Sequence, residues 1–429
     1  MIFLFIFVLS LCAQNTTESE YFVFHLAPRD MVLEDMAKET LEACKKQAQD
    51  ILGLEYKKKT PVEIYGGVHS FSENTLLEEE LIKRGGIVGL AKYDRVMILT
   101  PEALPLGYAW RDTLCHEYLH HLLKNKVGER LPLWFQEGFA RHWETIWRTT
   151  DTFASMPGDK EELLLAAREG RLISFAQMEP SLVYLKNSGE IGLAFSEVAE
   201  ALEVMKPKTR AFLKELSRDG NFKKDFERAY GKKLEDFEKE LFASWKRQSQ
   251  DKNFKATGAL RSAVVFGDQK RLEELALGPS VMQLISLGDK LRERGDLVGA
   301  QALYNNALKE EPNNPYLLSR LAKIALSLGD ARGAGSLAQA LVRQNPQWAP
   351  GYQLEGEIDE RENQYQKAIE AYKNYLTYNP YHLELYKRIV FIYVDLGETA
   401  KAKPFLEKAL ILSPQDPDLL KTKEAIGAK

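Results

Sequence analysis

The chain has 429 residues, room for two or three domains at ~150 residues each. A hydrophobic content of 45% supports sizeable cores, and 28% charged residues is ordinary for a globular protein. Lys and Arg number 58 against 62 Asp and Glu, a net charge of -4, so neither nucleic-acid binding nor a polybasic membrane patch has an electrostatic basis.

Residues 2–13 (IFLFIFVLSLCA) are apolar, but a bilayer span needs ~20 such residues. A short apolar run at the N-terminus, followed by the polar NTTESE, reads as a signal-peptide core with cleavage after Ala13. The alternative is a lipoprotein signal ending at a lipidated Cys12. On either reading the chain is exported, to the periplasm or the cell exterior, as a soluble or lipid-anchored protein. Cys44 and Cys115 complete the cysteines, so at most one disulfide forms in the mature chain and a disulfide framework is excluded.

Residues 20–250 have mixed patterning. YFVFHLA (21–27), VEIYGGV (62–68) and RVMILT (95–100) are short, β-branched or aromatic, and bounded by Pro, Gly or Asp, as strands are. Residues 31–52 carry apolar side chains at helical spacing. From Gly107 to Gln250 the pattern is almost wholly helical. A small sheet followed by helices is an α+β layout.

The chemistry is concentrated in RDTLCHEYLHHLLKN, which contains HExxH. On a helix His116 and His120 stand about 40° apart and one turn along the axis, so both imidazoles reach one metal ion. Zinc suits them, because it accepts neutral imidazole nitrogen and works with three protein ligands and a water. Glu117 lies about 100° from His116, placed to act as a general base without coordinating. Soon after, LPLWFQEGFARHWE begins a second helix, with Glu137 inside it seventeen residues after His120. A carboxylate there supplies a third ligand.

HExxH followed by WxxEGxA resembles the gluzincin metallopeptidases, in particular the peptidase MA-like family that often carries tetratricopeptide repeats. The resemblance covers residues 20–250 in layout and implies a zincin-like fold. It maps His116, His120 and Glu137 to zinc ligands and Glu117 to the catalytic base. It departs from the pattern at Arg141, where some gluzincins place a carboxylate. It departs again at Phe195, where a Tyr or His would stabilise the oxyanion; Tyr184 is the upstream alternative. Nearby residues take lesser roles on the sequence alone. Asp112 is either a carboxylate supporting a ligand histidine or a helix-surface residue. His121 borders the cleft without coordinating, His142 is a helix-surface residue, and Cys115 belongs to the core rather than being a reactive thiol.

After a helical linker at 251–280, the chain repeats itself. Pro312, Pro346, Pro380 and Pro414 are each 34 residues apart, and Ala300, Ala334, Ala368 and Ala402 keep the same interval. That period, with small residues at fixed offsets and a closing Pro, is the tetratricopeptide (TPR) signature. Four all-α repeats are expected at 281–314, 315–348, 349–382 and 383–416, with a capping helix in 417–429. Each repeat contacts only its neighbours, so 281–427 is expected to fold alone and present a partner-binding groove. Glu355, Asp359 and Glu362, with Tyr352 and Tyr386, are the residues that mark such a groove. The expected protein is an exported zinc metallopeptidase acting on protein or peptide substrates, with repeats that recruit partners. The alternative is a repeat scaffold, assembly or chaperone-like protein with a vestigial metal domain.

Overall fold

The computed structural model describes residues 15–104, 107–128, 131–148, 156–216, 221–257 and 279–427. The signal-peptide and Cys12 readings lie outside the described residues, as does most of the 251–280 linker. No helix among the described residues is long and apolar enough to cross a membrane.

The N-terminal part is a five-stranded sheet with helices on both faces. Its strands are β1 (Asn15–Glu18), β2 (Phe22–Leu26), β3 (Thr60–Tyr65), β4 (Gly89–Lys92) and β5 (Arg95–Leu99), in the order β1-β2-β3-β5-β4. The pairs β2–β3 and β3–β5 are parallel; β1–β2 and β4–β5 are antiparallel. Strand β5 lies between β3 and β4 and is covered on both faces, which is why VMIL within it reads as an unbroken apolar run. Val96 and Ile98 face the main core, with α1 (Glu34–Gln47) and α4 (Trp110–Val127). Met97 and Leu99 face the opposite layer, with Phe71 of α2 (Val68–Thr75) and Ile82 of α3 (Glu79–Gly85).

Two strands were not legible in the sequence. NTTE and GLAK are too short to alternate, and each is an edge strand paired on one side only. The β4–β5 turn places Tyr93 and Asp94 at φ 57° and 55°, the left-handed pair that a two-residue hairpin requires.

Helices α5 (Leu133–Trp143), α6 (Pro157–Glu169), α7 (Ser188–Met205), α8 (Thr209–Glu215), α9 (Phe222–Tyr230) and α10 (Leu234–Ser249) complete the first half. Four helix pairs follow: Pro279–Glu293 with Leu297–Glu310, Pro315–Ser327 with Ala331–Gln344, Ala349–Arg361 with Tyr365–Tyr378, and Leu383–Asp395 with Thr399–Leu412. The helix Pro417–Gly427 closes the array. The small residues act by close approach. A Cβ added at Gly288 would stand 2.5 Å from the Tyr304 ring, and one at Gly356 would clash with the Tyr372 ring.

The expectation that 281–427 is a separable unit needs correction. A single hydrophobic cluster runs from the sheet and α4 into Tyr375, Leu376, Tyr381 and Ile389 of the third and fourth repeats. Polar bonds fix the seam. The Tyr381 hydroxyl donates to Asp30 at 2.5 Å and accepts from Thr100 at 2.7 Å; the Trp110 indole donates to the Thr377 carbonyl at 2.9 Å. Buried polar groups matched this closely hold two surfaces in one orientation. Two proposed groove residues are also packing residues. Tyr386 is buried beside Phe405, and Tyr352 stacks on Tyr378 with its hydroxyl donating to the Pro346 carbonyl.

Candidate metal centre

Helix α4 buries Trp110, Leu114, Cys115, Tyr118, Leu119, Leu122 and Leu123, leaving the His116 and His120 face toward α5. Helix α5 is held by its own apolar side chains and by a close crossing with α7. A Cβ on Gly138 would stand 2.7 Å from the Val198 carbonyl oxygen and 2.6 Å from a Leu202 methyl. The glycine of WxxEGxA is therefore a packing requirement that sets the position of its neighbour, Glu137.

His116, His120 and Glu137 come together as one potential metal-binding group, the sole such group found among the described residues. Their donor atoms form a compact triangle: His116 Nε2 to His120 Nε2 is 3.1 Å, and each Nε2 lies 3.6 Å from Glu137 Oε2. Ligands of a tetrahedral zinc at ~2.05 Å stand about 3.3 Å from one another. The triangle therefore fits zinc without rearrangement, and the two nitrogens and one carboxylate are a donor set zinc takes.

Considering the side chains alone, burial would lower the His116 pKa, but the Glu137 and Glu144 carboxylates raise it to about 10. Burial would raise the Glu137 carboxyl, yet the two imidazoles hold it well below the usual carboxylate range. This mutual attraction preassembles the cluster. Glu144 was missed by sequence reasoning. Its Oε2 lies 3.0 Å from His116 Nδ1, leaving Nε2 for the metal, and its Oε1 accepts from Arg141 at 2.5 Å. A carboxylate on the remote nitrogen fixes a ligand histidine's tautomer and ring orientation.

That geometry revises several expectations. Arg141 does not leave the supporting carboxylate missing; it anchors Glu144, with Asp159 at 3.6 Å on its other side. Asp112 is neither a histidine partner nor a surface residue. It is 2% exposed and bonds Arg148 and Trp147. His142 is fully enclosed rather than on the surface, and burial drives its pKa down to about 3. Cys115 is core, as expected, and is also disulfide-bonded to Cys44 across 71 residues, so the one permitted bridge joins α1 to the residue before His116. His121 is outside the cluster, packed edge-on against Tyr56.

Glu117 is 8% exposed, and burial raises its pKa above the usual carboxylate value. The Ala91 backbone N–H donates to it, and a Cβ on Gly89 would come within 2.6 Å of its Oε1. Edge strand β4 thus runs beside the carboxylate. Phe195 packs against the core and offers no donor, while Tyr184 is 71% exposed.

Comparison with known proteins bears on the repeats. The tetratricopeptide repeat family matches residues 291–358 and 361–426, and the C-terminal part of the chain is a TPR-like helical solenoid. The cellulose synthase operon protein C of Pseudomonas fluorescens is 30% identical over 128 residues, covering 30% of this chain and 10% of that protein. The TPR repeat-containing protein YpiA of Bacillus subtilis is 25% identical over 174 residues, 41% of each chain. The chain thus spans well under two thirds of the length of either relative. Among solved structures, a thermophilic TPR protein of Thermus thermophilus is 28% identical, covering 34% of this chain and 81% of that one, with a TM-score of 0.27. The family match falls on none of residues 15–257.

Proposed function

We propose that this tetratricopeptide-repeat protein is a zinc-dependent peptidase whose repeats engage protein partners. The observation that carries the reading is the convergence of the His116, His120 and Glu137 donor atoms beside the buried Glu117. Zinc held by those three residues supplies Lewis acidity and an activated water. Glu117, which contributes no ligand atom, holds and returns the proton of a hydrolysis. Glu144 orients His116, and Arg141 keeps Glu144 ionised. The outer edge of β4, which has no strand partner among the described residues and already gives its Ala91 N–H to Glu117, offers its remaining backbone groups to an extended peptide, which would then lie along Glu117. The Cys44–Cys115 disulfide supports export, because such bridges persist in oxidising compartments.

A second reading is favoured by different observations: a partner-binding repeat scaffold whose metal domain does not turn over. The family match falls on the repeats alone, and Phe195 leaves the expected oxyanion donor absent. Losing one such donor typically costs ~3 kcal/mol of transition-state stabilisation.

One experiment separates the two. Full-length protein is assayed on a peptide library with and without chelator, alongside Glu117→Gln, with zinc content measured in each sample. The peptidase reading expects cleavage that is abolished by chelator and by Glu117→Gln, the latter with zinc retained. A zinc-loaded wild type that cleaves nothing leaves the scaffold reading.

A further inference from the structure

We propose that the Cys44–Cys115 bridge gates the metal centre: His116, His120 and Glu137 hold zinc tightly only after the two thiols have been oxidised. This control rests on the zinc reading of that centre. Cys44 is on α1 and Cys115 on α4, their Cα atoms 5.8 Å apart, and both side chains are fully buried. His116 is the next residue in the chain. Cys44 Sγ lies 3.8 Å from the Cys115 carbonyl oxygen, on the peptide group that joins Cys115 to His116. Cys115 Sγ lies 4.0 Å from the Trp143 carbonyl oxygen, one residue before Glu144, whose carboxylate orients His116. The bridge thus touches both supports of one ligand: the backbone that carries it and the backbone beside its carboxylate partner.

Size decides what oxidation does there. Bonded sulfurs stand ~2.05 Å apart, whereas non-bonded heavy atoms settle at ~3.5–4.0 Å. Two thiols in place of the bridge therefore need about 1.5 Å or more of extra room. A core packed to crystal-like density has no such slack, and neither enclosed sulfur can swing into solvent. One turn earlier, Arg111 ties α4 to α1, its Nε donating to Thr40 Oγ1 and its Nη2 to Glu39, both at 2.7 Å. With that end fixed, the added volume tilts α4 at Cys115 and displaces His116. Metal–ligand distances tolerate only about 0.2 Å, so a fraction of the shift spoils the triangle of donor atoms.

The step is a two-electron exchange. The thiolate of one cysteine attacks a disulfide-bearing oxidant and forms a mixed disulfide; the other cysteine then displaces the oxidant as a dithiol. The chain loses two protons and two electrons, and the oxidant gains them. Exchange needs access to sulfur, so the bridge forms before α1 closes on α4 and is shielded afterwards. Oxidation is therefore a single maturation step, and it keeps the centre without tightly held zinc in a reducing compartment.

The test uses full-length protein carrying Cys12→Ser, so that Cys44 and Cys115 alone can pair. The chain is unfolded in urea and refolded with either oxidised glutathione or a phosphine reductant, in sucrose, which favours the compact state. With the redox reagents removed, zinc affinity is read by competition with a chromophoric chelator and folding by circular dichroism. The oxidised form should bind zinc at least about tenfold more tightly than the reduced form. Cys44→Val, which cannot pair but keeps the bulk, should stay at the reduced affinity after either treatment. The Cys44→Ala, Cys115→Ala protein, which cannot pair but makes room, should come within about threefold of the oxidised form. Zinc bound equally by folded oxidised and reduced chains, a redox response that survives Cys44→Val, or double-alanine affinity as weak as that of the reduced form overturns the gate alone. Loss of fold in both the reduced chain and Cys44→Val does so too, because the bridge then serves the whole fold. No zinc in any form removes the metal reading itself, and the gate with it.

Discussion

Glu144 is the most direct check on the proposed metal centre. Its carboxylate is 6% exposed and joins His116 Nδ1 at 3.0 Å to Arg141 at 2.5 Å. Substitution by Leu gives an apolar side chain of similar size, while removing the acceptor that orients His116. Outer-sphere partners of this kind are worth 10–100-fold in metal affinity, or about 1.4–2.7 kcal/mol. Glu144→Leu should sit at the upper end, because Arg141 also loses its nearest partner and keeps only Asp159 at 3.6 Å. Glu144→Gln retains one acceptor oxygen without the charge and should lose about tenfold. Asp112→Asn is the control, because Asp112 bonds Arg148 and Trp147 and not a ligand; its zinc affinity should change less than about threefold. The assay is competition for zinc against a chromophoric chelator, with circular dichroism and thermal melts confirming that each variant is folded. Wild-type zinc affinity in folded Glu144→Leu, or a larger loss in Asp112→Asn than in Glu144→Gln, would refute the arrangement.

Three further outcomes are expected. Removing the Cys44–Cys115 bridge by a Cys44→Ala, Cys115→Ala double substitution releases a 71-residue loop, worth about 4 kcal/mol on loop entropy alone; urea unfolding that matches wild type would contradict that role. Gly138→Ala gains ~1 kcal/mol of helix propensity, but its Cβ meets the Val198 carbonyl at 2.7 Å. Overpacking of 1–3 kcal/mol should win, lowering the melting temperature and zinc affinity together. Glu197 accepts from the Ile173 N–H, has a second oxygen with no partner among the described residues, and is pushed by burial up to about 9. A carboxyl whose folded pKa is raised binds its proton more tightly when folded, so the chain loses stability as pH rises from about 4.5 to about 9. Glu197→Gln should therefore be more stable than wild type at pH 8, by up to ~4 kcal/mol, and lose that advantage below pH 4. Parallel stability–pH curves for the two proteins would show that Glu197 is not held protonated.

Features set by nearby residues were readable from the chain alone. The 34-residue register of Pro and Ala specifies helix pairs because each repeat buries its face against the adjacent one. The HExxH spacing brings His116 and His120 to one side because an α-helix turns every 3.6 residues. Glu137 was suggested by its place on the second helix and supported by the resemblance of WxxEGxA, and its placement beside the histidines depends on Gly138 letting α5 approach α7. What the chain alone did not disclose depends on segments distant in sequence meeting in space. Glu144 lies just past the end of α5, with no helical spacing to tie it to a histidine 28 residues earlier. Cys44 and Cys115 carry no mark of their pairing. His142 reads as a surface residue until neighbouring helices enclose it, and GLAK becomes a strand only because β5 lies beside it. Tyr381 sits in a turn between repeats, and only the docked sheet, presenting Asp30 and Thr100, turns that tyrosine into a fastening between the two halves. Short-range periodicity is written into every turn of helix, whereas a contact between distant segments is decided by how all the intervening elements pack.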